Sequence, residues 1–108
     1  MKTLTEKEFN EVISKDVPTL VCFGASWCGK CNLAKSKFGD FEKALGFEIY
    51  DIDADECKGI FEKYNITALP KLLLFKKGEL LGVRSAIATT SGVVDFVGSL
   101  TKEKVIWK

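Results

Sequence analysis

Histidine is absent from the sequence. That removes an imidazole general base, Cys-His and Ser-His nucleophile pairs and every His-ligated metal site from the chemistry this chain can perform alone. Proline is scarce, with two residues, and there is one methionine. Long hydrophobic runs are also missing, since no stretch approaches the ~20 apolar residues of a membrane span. The N-terminus, Met1-Lys2-Thr3-Leu4-Thr5-Glu6, has neither the apolar run nor the small-residue cleavage site of a secretory signal, so the expected location is the cytoplasm. Neither sign of charge dominates: the net charge is +1, with both signs mixed along the chain. A basic stripe for nucleic acid and an acidic tail for cations are therefore both lacking, and the expected partners include no nucleic acid and no membrane.

What is present suits one ordinary globular domain over residues 1–108. With 46% hydrophobic and 29% charged residues, the chain can build a core without covalent staples. Four cysteines remain to be explained. In a compartment that keeps thiols reduced, paired cysteines are more often catalytic or metal-binding than structural.

Periodicity gives the element order. Thr5 and Glu8 form a capping box ahead of Phe9, Val12 and Ile13, which predicts a helix over about 6–14. The continuous apolar run Thr19–Ala25 predicts a strand buried on both faces. Ala34, Phe38, Phe41 and Leu45 recur at helical spacing after Cys28, and Gly46 stands where a C-cap glycine belongs, so one long helix is expected there. A strand over 47–53 and a short helix over 55–65, with Ile60, Phe61 and Tyr64 inward, follow. Two apolar runs around Lys76-Lys77-Gly78-Glu79 predict a hairpin over 71–84, and Val93, Val97 and Leu100, supported by Val94, predict a last helix from Thr90 to Lys102. Helices after the early strands and a hairpin before the last helix make the fold class α/β, with a mixed sheet covered on both faces.

The chemistry concentrates at Cys28 and Cys31. A Cys-x-x-Cys pair can be a redox couple, half of a metal site or a packing coincidence. A strand running straight into a helix at this pair puts Cys28 at the helix N-terminus, where unpaired amides and the positive dipole end favour a thiolate. Cys31 falls one turn later on the same side, within reach of Cys28. Cys28 then reads as the nucleophile and Cys31 as the resolving thiol.

The segment Ser26-Trp27-Cys28-Gly29-Lys30-Cys31 after an apolar strand, with Ala68-Leu69-Pro70-Lys71 about forty residues on, resembles the thioredoxin family from about residue 4 to 101. The resemblance implies a three-layer sandwich around a central mixed sheet of four to five strands. It also implies thiol–disulfide exchange with a redox-active Cys28–Cys31 disulfide in place of any separate cofactor or metal. Gly29 would let the loop turn tightly, Trp27 would cover the site and contact the client, Leu69 would offer its backbone to an extended client chain, and a cis Pro70 would pack on the disulfide. The implied partners are disulfide-containing client proteins and a thioredoxin reductase, NADPH- or ferredoxin-linked. A monomer is expected.

The sequence departs from the family pattern at several points. Lys30 replaces a proline; either a cation beside two thiols favours the reduced form and makes the couple more oxidising, or the side chain points into solvent, is screened and does little. The family's buried aspartate and its lysine partner fall at Cys22 and Ile49, neither of which can act as an ordinary base, so Cys31 is expected to lose its proton to water or a substrate thiolate. Cys22 reads as a small buried hydrophobe or, alternatively, as a third thiol that can bond Cys31; Cys57 reads as a surface or half-buried bystander. Ser85 stands near a groove glycine and would narrow the groove, while Ser36 replaces a kinking proline and predicts a straighter helix. Trp107, in an amphipathic tail, is expected to pack on the body. The competing functions are a disulfide isomerase or oxidant of raised potential, a redox-independent binding module, and zinc binding, for which Cys22 and Cys57 lack the spacing.

Overall fold

The computed structural model describes residues 1–101; the expectation for Trp107 lies outside them. Five strands form one sheet in the order β1-β3-β2-β4-β5, where β1 is Lys2–Thr3, β2 Thr19–Gly24, β3 Tyr50–Asp53, β4 Lys71–Lys76 and β5 Glu79–Ser85. The first three run parallel, and β4 and β5 are antiparallel to their neighbours. Helices α1 (Glu6–Ile13) and α4 (Lys58–Lys63) lie on one face; α2 (Gly29–Lys35), α3 (Phe38–Leu45) and α5 (Thr90–Thr101) lie on the other. This is the mixed sheet with helices on both faces that the sequence predicts.

Strand alternation sorts the core. Val21, Phe23, Ile52, Leu73 and Phe75 point to the α1 and α4 side, while Leu20, Cys22, Leu72 and Leu74 point to the α2, α3 and α5 side. Successive side chains of a strand leave on opposite faces, so a central strand buried on both sides must be apolar throughout. The capping box holds as predicted, with the Glu8 N–H donating to Thr5 Oγ1 at 3.1 Å and the Thr5 N–H donating to Glu8 Oε1 at 2.9 Å. At the hairpin, Lys77 (φ 53°) and Gly78 (φ 80°) are both left-handed, as a two-residue turn between antiparallel strands demands. Their amides bond the carbonyls of Lys15 and Ile13 at 2.9 and 2.7 Å, tying the turn to the end of α1.

Several expectations need correction. The long helix is two: Ser36 Oγ donates to the Leu33 carbonyl at 2.6 Å, and the Lys37 N–H turns to Ala34 at 3.0 Å. A serine hydroxyl that takes a carbonyl of its own helix competes with the backbone ladder, and here the helix breaks instead of straightening. Strand β3 starts at Tyr50 and α4 at Lys58, both later than expected. The two-residue β1, which the sequence reading lacked, adds the fifth strand. Val94 is exposed, unlike its neighbours Val93 and Val97 on the buried side of α5. Cys57 is 1% exposed, packed in the core with Phe61 and Ile60.

Candidate active site

Loops at one end of the sheet gather the predicted residues. The chain leaves β2 for β3 on one side and later returns to β4 on the other, and such a switch point leaves a crevice beyond the strand ends. Asp53, the last residue of β3, staples the loops there: its Oδ2 accepts the Ser26 N–H and its Oδ1 the Asp55 N–H, each at 2.8 Å. Trp27, 68% exposed, donates its indole N–H to Asp55 Oδ2 at 3.1 Å. The indole is thereby held across the mouth of the site instead of sweeping through solvent.

Cys28 is the N-cap of α2. Its backbone is extended, and its Sγ accepts the Cys31 N–H at 3.2 Å, so the thiol satisfies an amide the helix start would leave unpaired. Cys28 is half-buried; Cys31, one turn inward, has no exposed surface. Burial first, then its hydrogen bond with Cys28, pushes the Cys31 thiol up to about 11, against the opposing pull of the Ala25 backbone and the Lys35 cation. The pair is therefore asymmetric, with an accessible outer sulfur and a protonated inner one. All four cysteines are free thiols.

Glycine matters at position 24. A methyl group there would lie 3.2 Å from Cys31 Sγ and 3.9 Å from Cys22 Sγ, so both sulfurs gather over that residue. Gly29, by contrast, starts α2 with no left-handed angle and open space around it. The tight turn expected of it is not made; α2 simply begins there.

The Leu69–Pro70 bond is cis, and Pro70 is buried. Leu69 and Trp27 line a groove of about 310 Å³ with Phe61 and Ile66. Lys30 is exposed, so its field on the thiols passes through solvent and is screened. Ser85 accepts the Ile87 N–H on its hydroxyl at 3.1 Å, which commits that oxygen to the turn after β5. Cys22 is fully buried. Among the described residues no three potential ligands converge on a metal-sized site.

Sequence reasoning missed Asp51 and Lys35. Ile49 is buried, as an apolar substitute should be, but Asp51 two residues on is 3% exposed and stands in register with Cys22. Lys35 Nζ lies 3.2 Å from its Oδ1. The signal was available in the alternation of Ile49, Asp51 and Asp53, and in the placement of Lys35 four residues after Cys31, but only strand adjacency joins the two.

The comparisons agree with this geometry. The Thioredoxin family profile matches residues 1–99. A chloroplastic M-type thioredoxin of Spinacia oleracea is 40% identical over 75 residues, which span 68% of this chain and 40% of that protein; the chain thus covers less than half the length of that plant relative. A thioredoxin of Rickettsia felis is 29% identical over 97 residues, 87% of this chain and 92% of the relative. The solved Plasmodium falciparum thioredoxin superposes with a TM-score of 0.79 at 27% identity, covering 92% of this chain and 98% of that one. The chain belongs to the thioredoxin family.

Proposed function

We propose that this protein is a thiol–disulfide oxidoreductase that reduces disulfides of cytosolic proteins. The observation that carries the reading is the capped pair: a half-exposed Cys28 sulfur at a helix start, 3.2 Å from the amide of a wholly buried Cys31. Cys28 attacks a client disulfide and forms a mixed disulfide. Cys31 then attacks Cys28, releases the client and leaves a Cys28–Cys31 disulfide, the chain's own redox group, with no added cofactor or metal. Leu69, which precedes cis Pro70, and Trp27, which precedes Cys28, line the groove in which an extended client strand would lie. A thioredoxin reductase, NADPH- or ferredoxin-linked, restores the dithiol, and the protein works as a monomeric single domain. Buried, unpaired Cys22 and Cys57 suit a compartment that keeps thiols reduced.

The test is turnover of a disulfide-linked protein with dithiothreitol as reductant. Cys28→Ser abolishes it, and Cys31→Ser accumulates a covalent complex between client and protein. Full turnover by the Cys28→Ser, Cys31→Ser double variant would leave a redox-independent binding module. The exposure of Lys30 favours a reductant over an oxidant or isomerase. The expected potential is near the roughly −270 mV characteristic of thioredoxins. A potential nearer −200 mV, about 3 kcal/mol more oxidising for two electrons, would reverse that preference.

A further inference from the structure

Asp51 is a buried charge that the exchange steps above leave unused. Cys22 on β2 faces it across the strand pair, Lys35 reaches it from α2, Thr3 Oγ1 donates to Oδ2 from β1 at 3.1 Å, and Asp53 adds a like charge along β3. Lys35 Nζ also donates to Oδ2, at 3.3 Å. Oδ1 lies 3.2 Å from the same ammonium and is buried without a hydrogen-bond partner of its own. An ionised carboxylate oxygen has two acceptor sites, and a buried one left empty carries a cost that a proton would relieve. On the other side of Cys22 is Cys31, whose sulfur shares the space over Gly24 with the Cys22 sulfur. Burial first, then the charge of Asp51, pushes the Cys22 thiol up, so Cys22 stays a neutral thiol between carboxylate and resolving sulfur.

We propose that Asp51, kept ionised by Lys35, accepts the Cys31 proton across the Cys22 thiol while Cys31 displaces the client from Cys28. The inference deepens the exchange reading and rests on it. The S–H bond of Cys31 breaks and its proton goes to Asp51 Oδ1. The freed sulfur pair forms the bond to Cys28 Sγ. The bond between Cys28 and the client sulfur breaks, and its electron pair leaves with the client thiolate, which takes a proton from solvent. Cys28 and Cys31 together lose two electrons and the two client sulfurs gain them; Asp51 afterwards returns its proton to water. The need is real, because a thiol titrating near 11 is ionised in only roughly one molecule in ten thousand at neutral pH.

The test resolves the two steps by stopped flow, with a dye-labelled protein disulfide. Formation of the mixed disulfide reports Cys28, and release of the second thiol reports Cys31. Wild type should release client at a rate flat from neutral pH to about pH 9, because the acceptor is ionised throughout. Asp51→Asn should form the mixed disulfide within about twofold of wild type, yet release client about 10- to 100-fold more slowly at pH 7, with the rate rising tenfold per pH unit toward Cys31's own titration. Lys35→Met should move the acid limb of release to higher pH, since the carboxylate loses its cation. An unchanged flat profile in Asp51→Asn, a uniform slowing with no change of slope, or an unmoved limb in Lys35→Met overturns the proposal. Absence of any mixed disulfide with wild type defeats the exchange reading itself, a different result from failure at release alone.

Discussion

The two faces of the sheet are built from the same strands and do opposite work. The face under α1 and α4 is an aromatic block: Phe9, Phe23, Phe61, Tyr64 and Phe75 meet mostly edge to face, with Phe9 and Phe75 centroids 5.5 Å apart at 87° and Phe23 and Phe61 at 4.8 Å. Each buried phenylalanine contributes about 1.5–3 kcal/mol from area alone, and edge-on pairs add to that. The face under α2 keeps smaller side chains, Gly24, Cys22, Cys31 and Ala34, at its chemical end. There the vacated volume holds two thiols, a carboxylate and an ammonium. One face supplies stability so that the other can hold groups that cost it.

Substitutions that cross this division test it. The largest loss is expected for Phe23→Ala, about 3–5 kcal/mol in urea unfolding, with exchange activity intact well below the melting temperature because Cys28 is untouched. A loss near that of a surface residue would mean the aromatic block does not carry the fold. Gly24→Ala, on the chemical face, should cost roughly 1–3 kcal/mol by pressing on the Cys31 sulfur, whereas Gly29→Ala, in open space, should stay within about 0.5 kcal/mol of the parent. Equal effects at the two glycines would refute the crowding.

Asp51→Asn gives a smaller, pH-dependent effect. Burial raises Asp51 above its ordinary value of 3.8, more strongly than Lys35 and Thr3 pull it down. The native state therefore binds the proton more tightly than the unfolded chain, and stability falls as pH rises through the window from 3.8 to the raised value. The asparagine variant lacks that loss and should be the more stable protein at pH 7, with the advantage disappearing in acid; melting curves at several pH values would show it. An advantage that instead grows in acid breaks the assignment. Smallest is Cys57→Ala on the aromatic face, about 1 kcal/mol, in a protein whose Cys57 resists alkylation until it unfolds.

Much of this was legible in the sequence because its signals are local. Thr5 and Glu8, Gly46, the Lys77-Gly78 turn and the Trp27–Cys31 motif each declare themselves within a few residues. What stayed hidden depends on neighbours distant in the chain. Two residues of β1 carry no period, and only the edge of β3 makes them a strand. Ser36 is a good helix surface residue until its hydroxyl takes the Leu33 carbonyl. Cys57 lies at the start of a short helix, and only the packing of α4 on the sheet buries it. Asp51 reads as one polar residue of a half-buried strand, and its significance appears only when β2 brings Cys22 beside it and α2 brings Lys35 above.

The Cys28 sulfur that caps α2 joins two inventories, electrons and helical order. As a thiolate it gives the Cys31 amide a charged acceptor, and as one half of a disulfide it gives a weaker, neutral one. Wherever that sulfur carries charge the first turn of α2 is held more firmly, and thermodynamic reciprocity requires the converse: whatever orders that turn favours keeping electrons, and whatever frays it favours giving them up. A client that loosened the turn as it docked would draw current from the protein at the moment it could use it.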